Sequence, residues 1–179
     1  MIKNSMKLAV VAAMLAGTSV GANAATTDIG VVSPNPTTFS GTVLGSGVAF
    51  SDIFTFSAQG PASFSVVDVP LSVGGLNYDG ILTGLSLFSA GANGIVGGGD
   101  DTLLQSSTSQ GGNSLTLNYD QPLPGASFIT VTGISNGTAG AIYAGAAAAI
   151  PEPETYAMLL AGLGLMGAVV RRRSSRKTS

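Results

Sequence analysis

The chemistry open to this chain is carboxylate chemistry. No Lys, Arg, His or Cys lies between Leu8 and Val170, and the charged side chains of residues 25–149 are Asp28, Asp52, Asp68, Asp79, Asp100, Asp101 and Asp120. Without imidazole, thiolate or amine side chains, residues 25–149 cannot run Ser-His-Asp or Cys-His catalysis, build thiolate or imidazole metal sites, or form Schiff bases. Two-carboxylate glycoside hydrolysis survives this filter, but no spacing pairs the aspartates for it. No catalytic residue is therefore assigned, and the expectation is a non-enzymatic protein without a cofactor. Calcium is the alternative, because adjacent Asp100 and Asp101 follow Gly97-Gly98-Gly99 and that ion takes oxygen ligands.

A second carboxylate stands out by its neighbours. In a strand, Val48, Phe50, Asp52, Phe54 and Phe56 share one face, which places the Asp52 charge among aromatic rings. A buried charge needs partners. No basic side chain of this region can supply one, so Asp52 must accept backbone or hydroxyl hydrogen bonds, bind a cation, or lie where the strand bends and water enters. The favoured reading is structural, through local donors. Leu76-Asn77-Tyr78-Asp79 recurs as Leu117-Asn118-Tyr119-Asp120, which reads as strand-end chemistry. A sharper alternative makes Tyr78, Tyr119 and Tyr143 a stacking surface for sugars.

The elements that must position these groups read as all-β. Short runs rich in Phe, Val, Thr, Ser and Leu, at Val48–Ser57, Ser63–Val69, Ile81–Phe88, Ser114–Tyr119, Ala126–Ile134 and Gly140–Gly145, are divided by Gly, Asn, Asp and Pro. The predicted fold is a β-sandwich or jelly-roll-like domain over residues 25–149. Asn136-Gly137 and Pro122 to Gly125 mark turns, and Gly91–Gly99 a surface loop. The domain is a pure anion, so nucleic acid and anionic headgroups are repelled and nucleic acid is not an expected partner. With no cysteine, its stability must come from core and backbone pairing alone.

Both ends carry membrane-active patterns. Lys3 and Lys7, the apolar stretch Leu8–Gly17 and the small-x-small site Ala22-Asn23-Ala24 read as a secretory signal peptide over residues 1–24, cleaved between Ala24 and Ala25. Sec machinery and signal peptidase are the partners this implies. At the other end, Pro151-Glu152-Pro153 should be extended and easily gripped. Tyr156–Val170 is an uncharged run of fifteen residues, predicted as a transmembrane helix, with Arg171, Arg172 and Arg173 opening a basic tail that reaches Lys177. As a helix the run rises about 22 Å at ~1.5 Å per residue, short against a bilayer core of about 30 Å. Positive-inside topology keeps the arginines cytoplasmic and puts everything before Pro151 across the membrane. Ala157, Ala161, Gly164 and Ala168 form one small-residue face that a second helix could approach.

The order Pro-Glu-Pro, short helix with Leu159-Leu-Ala-Gly-Leu-Gly164, then arginine cluster resembles the PEP-CTERM sorting signal of Gram-negative bacteria, over residues 150–179. That resemblance implies an exosortase substrate, with Pro151, Glu152 and Pro153 as the recognition element. It further implies transit through the inner membrane as an anchored precursor with a periplasmic domain, then the cell surface or extracellular matrix, with exopolysaccharide as a candidate partner. Phe50, Asp52 and Phe54, upstream of such a tail, resemble the FxDxF subset of these proteins. The glycine-aspartate loop at 97–103 resembles one calcium-binding nonapeptide of β-roll type, with Val96 where its first Gly is expected, and only one copy is present.

Overall fold

The computed structural model describes residues 24–151 and 153–175. The predicted signal peptide up to Asn23, Glu152, and the end of the basic tail from Arg176 on lie outside the described residues.

Nine strands follow one another: β1 (Thr26–Val31), β2 (Thr37–Leu44), β3 (Ala49–Asp68), β4 (Leu71–Val73), β5 (Leu76–Tyr78), β6 (Gly80–Ser89), β7 (Thr102–Gly112), β8 (Ser114–Ser135) and β9 (Gly140–Ala149). A helix, α1 (Pro153–Ser175), closes the described chain. The all-β expectation holds. Two of the predicted pairs of short strands turn out to be single long ones, with Val48–Ser57 and Ser63–Val69 joined in β3, and Ser114–Tyr119 and Ala126–Ile134 joined in β8.

Those two strands organise everything else. They pair antiparallel from Ala49↔Ile134 to Val67↔Ser114, with one irregularity where Gly60 faces Leu123 and Ala62 faces Tyr119. The sheet order is β4-β5-β9-β3-β8-β6-β7, with β1 parallel to the first half of β3 and β2 antiparallel to β9. Expected as two sheets, the layers instead belong to one hydrogen-bonded network, because the long strands bend back on themselves. Phe56 and Phe64 are eight residues apart, which in a straight strand means about 26 Å. Their ring centroids lie 5.3 Å apart. The corner falls at Gly60-Pro61 in β3 and at Pro122 to Gly125 in β8. Gly60 and Gly125 both hold φ 98°, a region open to glycine at little cost, and proline lacks the donor a straight ladder would need. The predicted turn at Pro122–Gly125 is thus a bend inside a strand.

Alternation survives the corner. Phe50, Asp52, Phe54, Phe56, Ala58, Ala62, Phe64, Val66 and Asp68, all even-numbered, are buried. One face of the folded sheet therefore forms one core, which Phe39, Val43, Leu85, Leu87, Ile129, Val131 and Tyr143 complete. Each large apolar side chain buried this way contributes about 1.5–3 kcal/mol.

Candidate functional site

Two places in the chain gather the residues singled out above: the Asp52 pocket and the C-terminal junction. The first is built by β3, β9 and the start of β1. Asp52 is 5% exposed. Its Oδ2 accepts the Tyr143 hydroxyl, and its Oδ1 accepts the Ala25 backbone N–H at 2.8 Å. Tyr143 is fully buried, its ring stacked on Phe50 at 5.3 Å and set edge-on to Phe54 at 6.3 Å. Burial pushes the phenol's pKa far up, and the hydrogen bond to Asp52 and that carboxylate's charge push the same way. The hydroxyl therefore stays a donor. Tyr143 cannot belong to an exposed sugar-stacking surface, which corrects that alternative; Tyr78 and Tyr119 are partly exposed. Asp52 does accept a hydroxyl and a backbone N–H, but these come from β9 and from Ala25, 91 and 27 residues away, and not from local turn or bulge donors.

Asp100 and Asp101 act within their own loop. Asp100 Oδ2 accepts the amides of Ala92 (2.9 Å) and Asn93 (3.3 Å), and Asp101 Oδ2 accepts the amide of Gly97 at 2.7 Å. The Oδ1 of Asp101 is buried without a hydrogen-bond partner. No group of three or more His, Cys, Asp or Glu is assembled among the described residues.

Asp68 escaped the sequence reading, although strand parity with Phe64 and Val66 would have placed it inside. It is 3% exposed, and neither carboxylate oxygen makes a hydrogen bond of good geometry. Burial raises its pKa; the nearby Gly80 and Val69 amides oppose that, while the neighbouring Asp79 carboxylate adds to the rise. A carboxyl whose pKa is raised on folding favours the folded state below its unfolded pKa, and that contribution is lost as pH rises through the folded value. Asp68→Asn is therefore expected to stabilise the protein at pH 7.5 by about 1 kcal/mol or more. The gain should fade below about pH 4, where the unfolded carboxyl is also protonated. Urea unfolding at both pH values checks this.

At the C-terminal junction the backbone is tied down to the last residue before the proline motif. Ala149 N donates to Ser33 O at 2.9 Å, and Ile150 N donates to Pro61 O at 2.8 Å. Pro151 is exposed and α1 begins at Pro153, a residue suited to a helix's first position. Met158, Leu160, Leu165 and Met166 are each more than two-thirds exposed. No helix among the described residues is long and apolar enough to cross a membrane. The segment predicted to cross a membrane, 156–170, is helical, lying within α1.

An all-β domain followed at once by a Pro-x-Pro whose first proline is exposed, and by an apolar helix with a basic end, is the layout of an exported protein carrying a C-terminal sorting signal. The family description of the PEP-CTERM protein-sorting motif matches residues 149–173, so the C-terminal end of this chain carries that motif. The motif marks a precursor that is exported, anchored at the membrane and processed at the cell envelope, with exosortase as its partner. No curated relative matches the chain. Among solved structures, the pre-peptidase C-terminal domain of Bacillus anthracis collagenase is 17% identical, with 70% of this chain and 95% of that one covered at TM-score 0.40. PliG of Aeromonas hydrophila, a periplasmic inhibitor of g-type lysozyme, is 12% identical, with 70% and 98% covered at TM-score 0.38. CorA of Methylomicrobium album BG8, a surface-associated copper-binding protein, is 10% identical, with 72% and 100% covered at TM-score 0.42. Likenesses this distant say nothing about activity, and none is carried over to this chain.

Proposed function

We propose that the protein is a non-enzymatic component of the cell surface or extracellular matrix, folded as a sandwich-like β domain and belonging to the FxDxF subset of PEP-CTERM proteins. It leaves the cytoplasm through the Sec machinery and loses its signal peptide between Ala24 and Ala25. The short helix then holds it at the inner membrane, where local bilayer thinning and the arginines after Val170 offset its length. Exosortase acts at Pro151-Glu152-Pro153. The observation that carries this reading is the junction itself: among the described residues the last backbone tie to the domain is Ile150 N to Pro61 O, and Pro151 is already exposed. A membrane enzyme can grip the motif without disturbing the core.

The competing reading is a calcium- or glycan-binding module of an exopolysaccharide matrix, favoured by the unpartnered Asp101 Oδ1. Thermal melts separate the two. A ligand at a hundred times its Kd stabilises a folded protein by about 2.7 kcal/mol. A matrix component without a ligand site should show the same midpoint with millimolar calcium, with chelator and with host polysaccharide. A calcium-dependent rise that Asp101→Asn abolishes would favour the binding module, and release of reducing sugar would favour a hydrolase.

A further inference from the structure

We infer that Asp52 is a built-in receptor for the α-ammonium group that signal-peptide removal creates at Ala25. The inference rests on the export reading above, since only cleavage between Ala24 and Ala25 frees that amine. Hydrolysis adds one water across the bond, leaving a carboxylate on the departing Ala24 and an ammonium on Ala25. The nitrogen that becomes this cation already lies 2.8 Å from Asp52 Oδ1. No other group of the domain can fill that role, because residues 25–149 contain no Lys, Arg or His.

The position of the nitrogen is set by backbone, not by a flexible side chain. Ile53 N donates to Ala25 O at 2.7 Å, and Thr26, Thr27 and Asp28 run parallel to Ile53, Phe54 and Thr55. Beside Ala25, a cavity of about 140 Å³ is bounded by Ala24, Thr27, Thr42, Asp52 and Tyr143, among others. Loss of Ala24 opens that space further, and the ammonium's remaining protons can be met there by threonine oxygens or water. Asp52 and Tyr143 are the titratable side chains that line it.

In the precursor this nitrogen is a neutral amide with one proton, so the buried carboxylate has hydrogen bonds but no counter-charge. After cleavage the same geometry holds a full ion pair, the stronger kind of hydrogen bond. A buried carboxylate that lacks a cation before processing and gains one after it ties the domain's stability to its arrival across the membrane. The domain tightens only once export has cut the leader away.

The test compares the full precursor, isolated from cells whose signal peptidase is inhibited, with the processed protein, each as wild type and as Asp52→Asn. Intact mass first fixes the N-terminus: a start other than Ala25 overturns the cleavage reading and this inference together. With Ala25 at the start, the wild-type processed protein should melt several degrees above its precursor, and Asp52→Asn should remove that gap. Equal gaps in both, or none in wild type, would overturn the inference and leave the export reading standing. Chemical modification of processed wild-type protein gives a readout that does not depend on a variant folding. Acetylating the α-amine, which removes the charge, should lower the midpoint to that of the precursor. Dimethylation, which keeps the charge, should lower it less; equal losses would contradict the ion pair.

Discussion

Gly133→Val is expected to cost the domain about 3 kcal/mol or more, at the upper end of overpacking penalties. Gly133 lies in β8, the strand flanked by both β3 and β6, opposite Phe50 on one side and Leu82 on the other. A Cβ there would stand 2.5 Å from Phe50 Cζ and 2.6 Å from the Ile81 carbonyl oxygen. The ring is itself pinned, stacked on Tyr143 in the core. The carbonyl belongs to a paired strand and cannot swing aside without breaking its ladder. For a domain of this size the loss corresponds to a fall in melting temperature of roughly 10 °C, readable by circular dichroism. Adding Phe50→Leu should recover only part of it, since the backbone clash remains. Full recovery would mean that the ring alone demands glycine.

Substituting alanine for all three of Pro151, Glu152 and Pro153 is expected to leave the folded domain untouched and to block its processing. Among the described residues the domain's ladder ends at Ala149 and its last backbone hydrogen bond is that of Ile150, so the melting temperature should not change. The processed species should fall about tenfold or more, which needs a loss of only ~1.4 kcal/mol in recognition. Alanine also lets helix propagate upstream of Pro153, where α1 now begins, which proline disfavours. Quantitative immunoblotting of membrane and medium fractions measures this outcome. A mutant processed like wild type would move recognition to the helix or the basic tail.

The sorting end of the chain was legible because its physics is local: prolines, an uncharged run and a cluster of arginines act in sequence order. Burial of Asp52 was legible for a similar reason, since period-two alternation from Phe50 to Phe56 settles which face it shares. Alternation carried further would also have found Asp68. What could not be read is how strands continue through punctuation. Gly60-Pro61 and Pro122–Gly125 look like strand ends, yet with two strands bent side by side the ladder resumes beyond them in unbroken parity. The polar strand Thr102–Gly112 was hidden because exposed Ser, Thr and Gln carry little apolar signal, and β1 and β2 are shown only by pairing to distant partners. The partners of Asp52 were out of reach for the same reason, at 27 and 91 residues along the chain.

The most direct test of the sorting account is the intact mass of the protein from membrane and culture-medium fractions of its native host, with and without active exosortase. The account predicts a wild-type species that begins at Ala25 and ends close to Pro151-Glu152-Pro153, replaced without the enzyme by a membrane-held species that keeps Arg171, Arg172 and Arg173. A wild-type protein found only in the membrane with its arginines intact, or processed identically in both hosts, would contradict it.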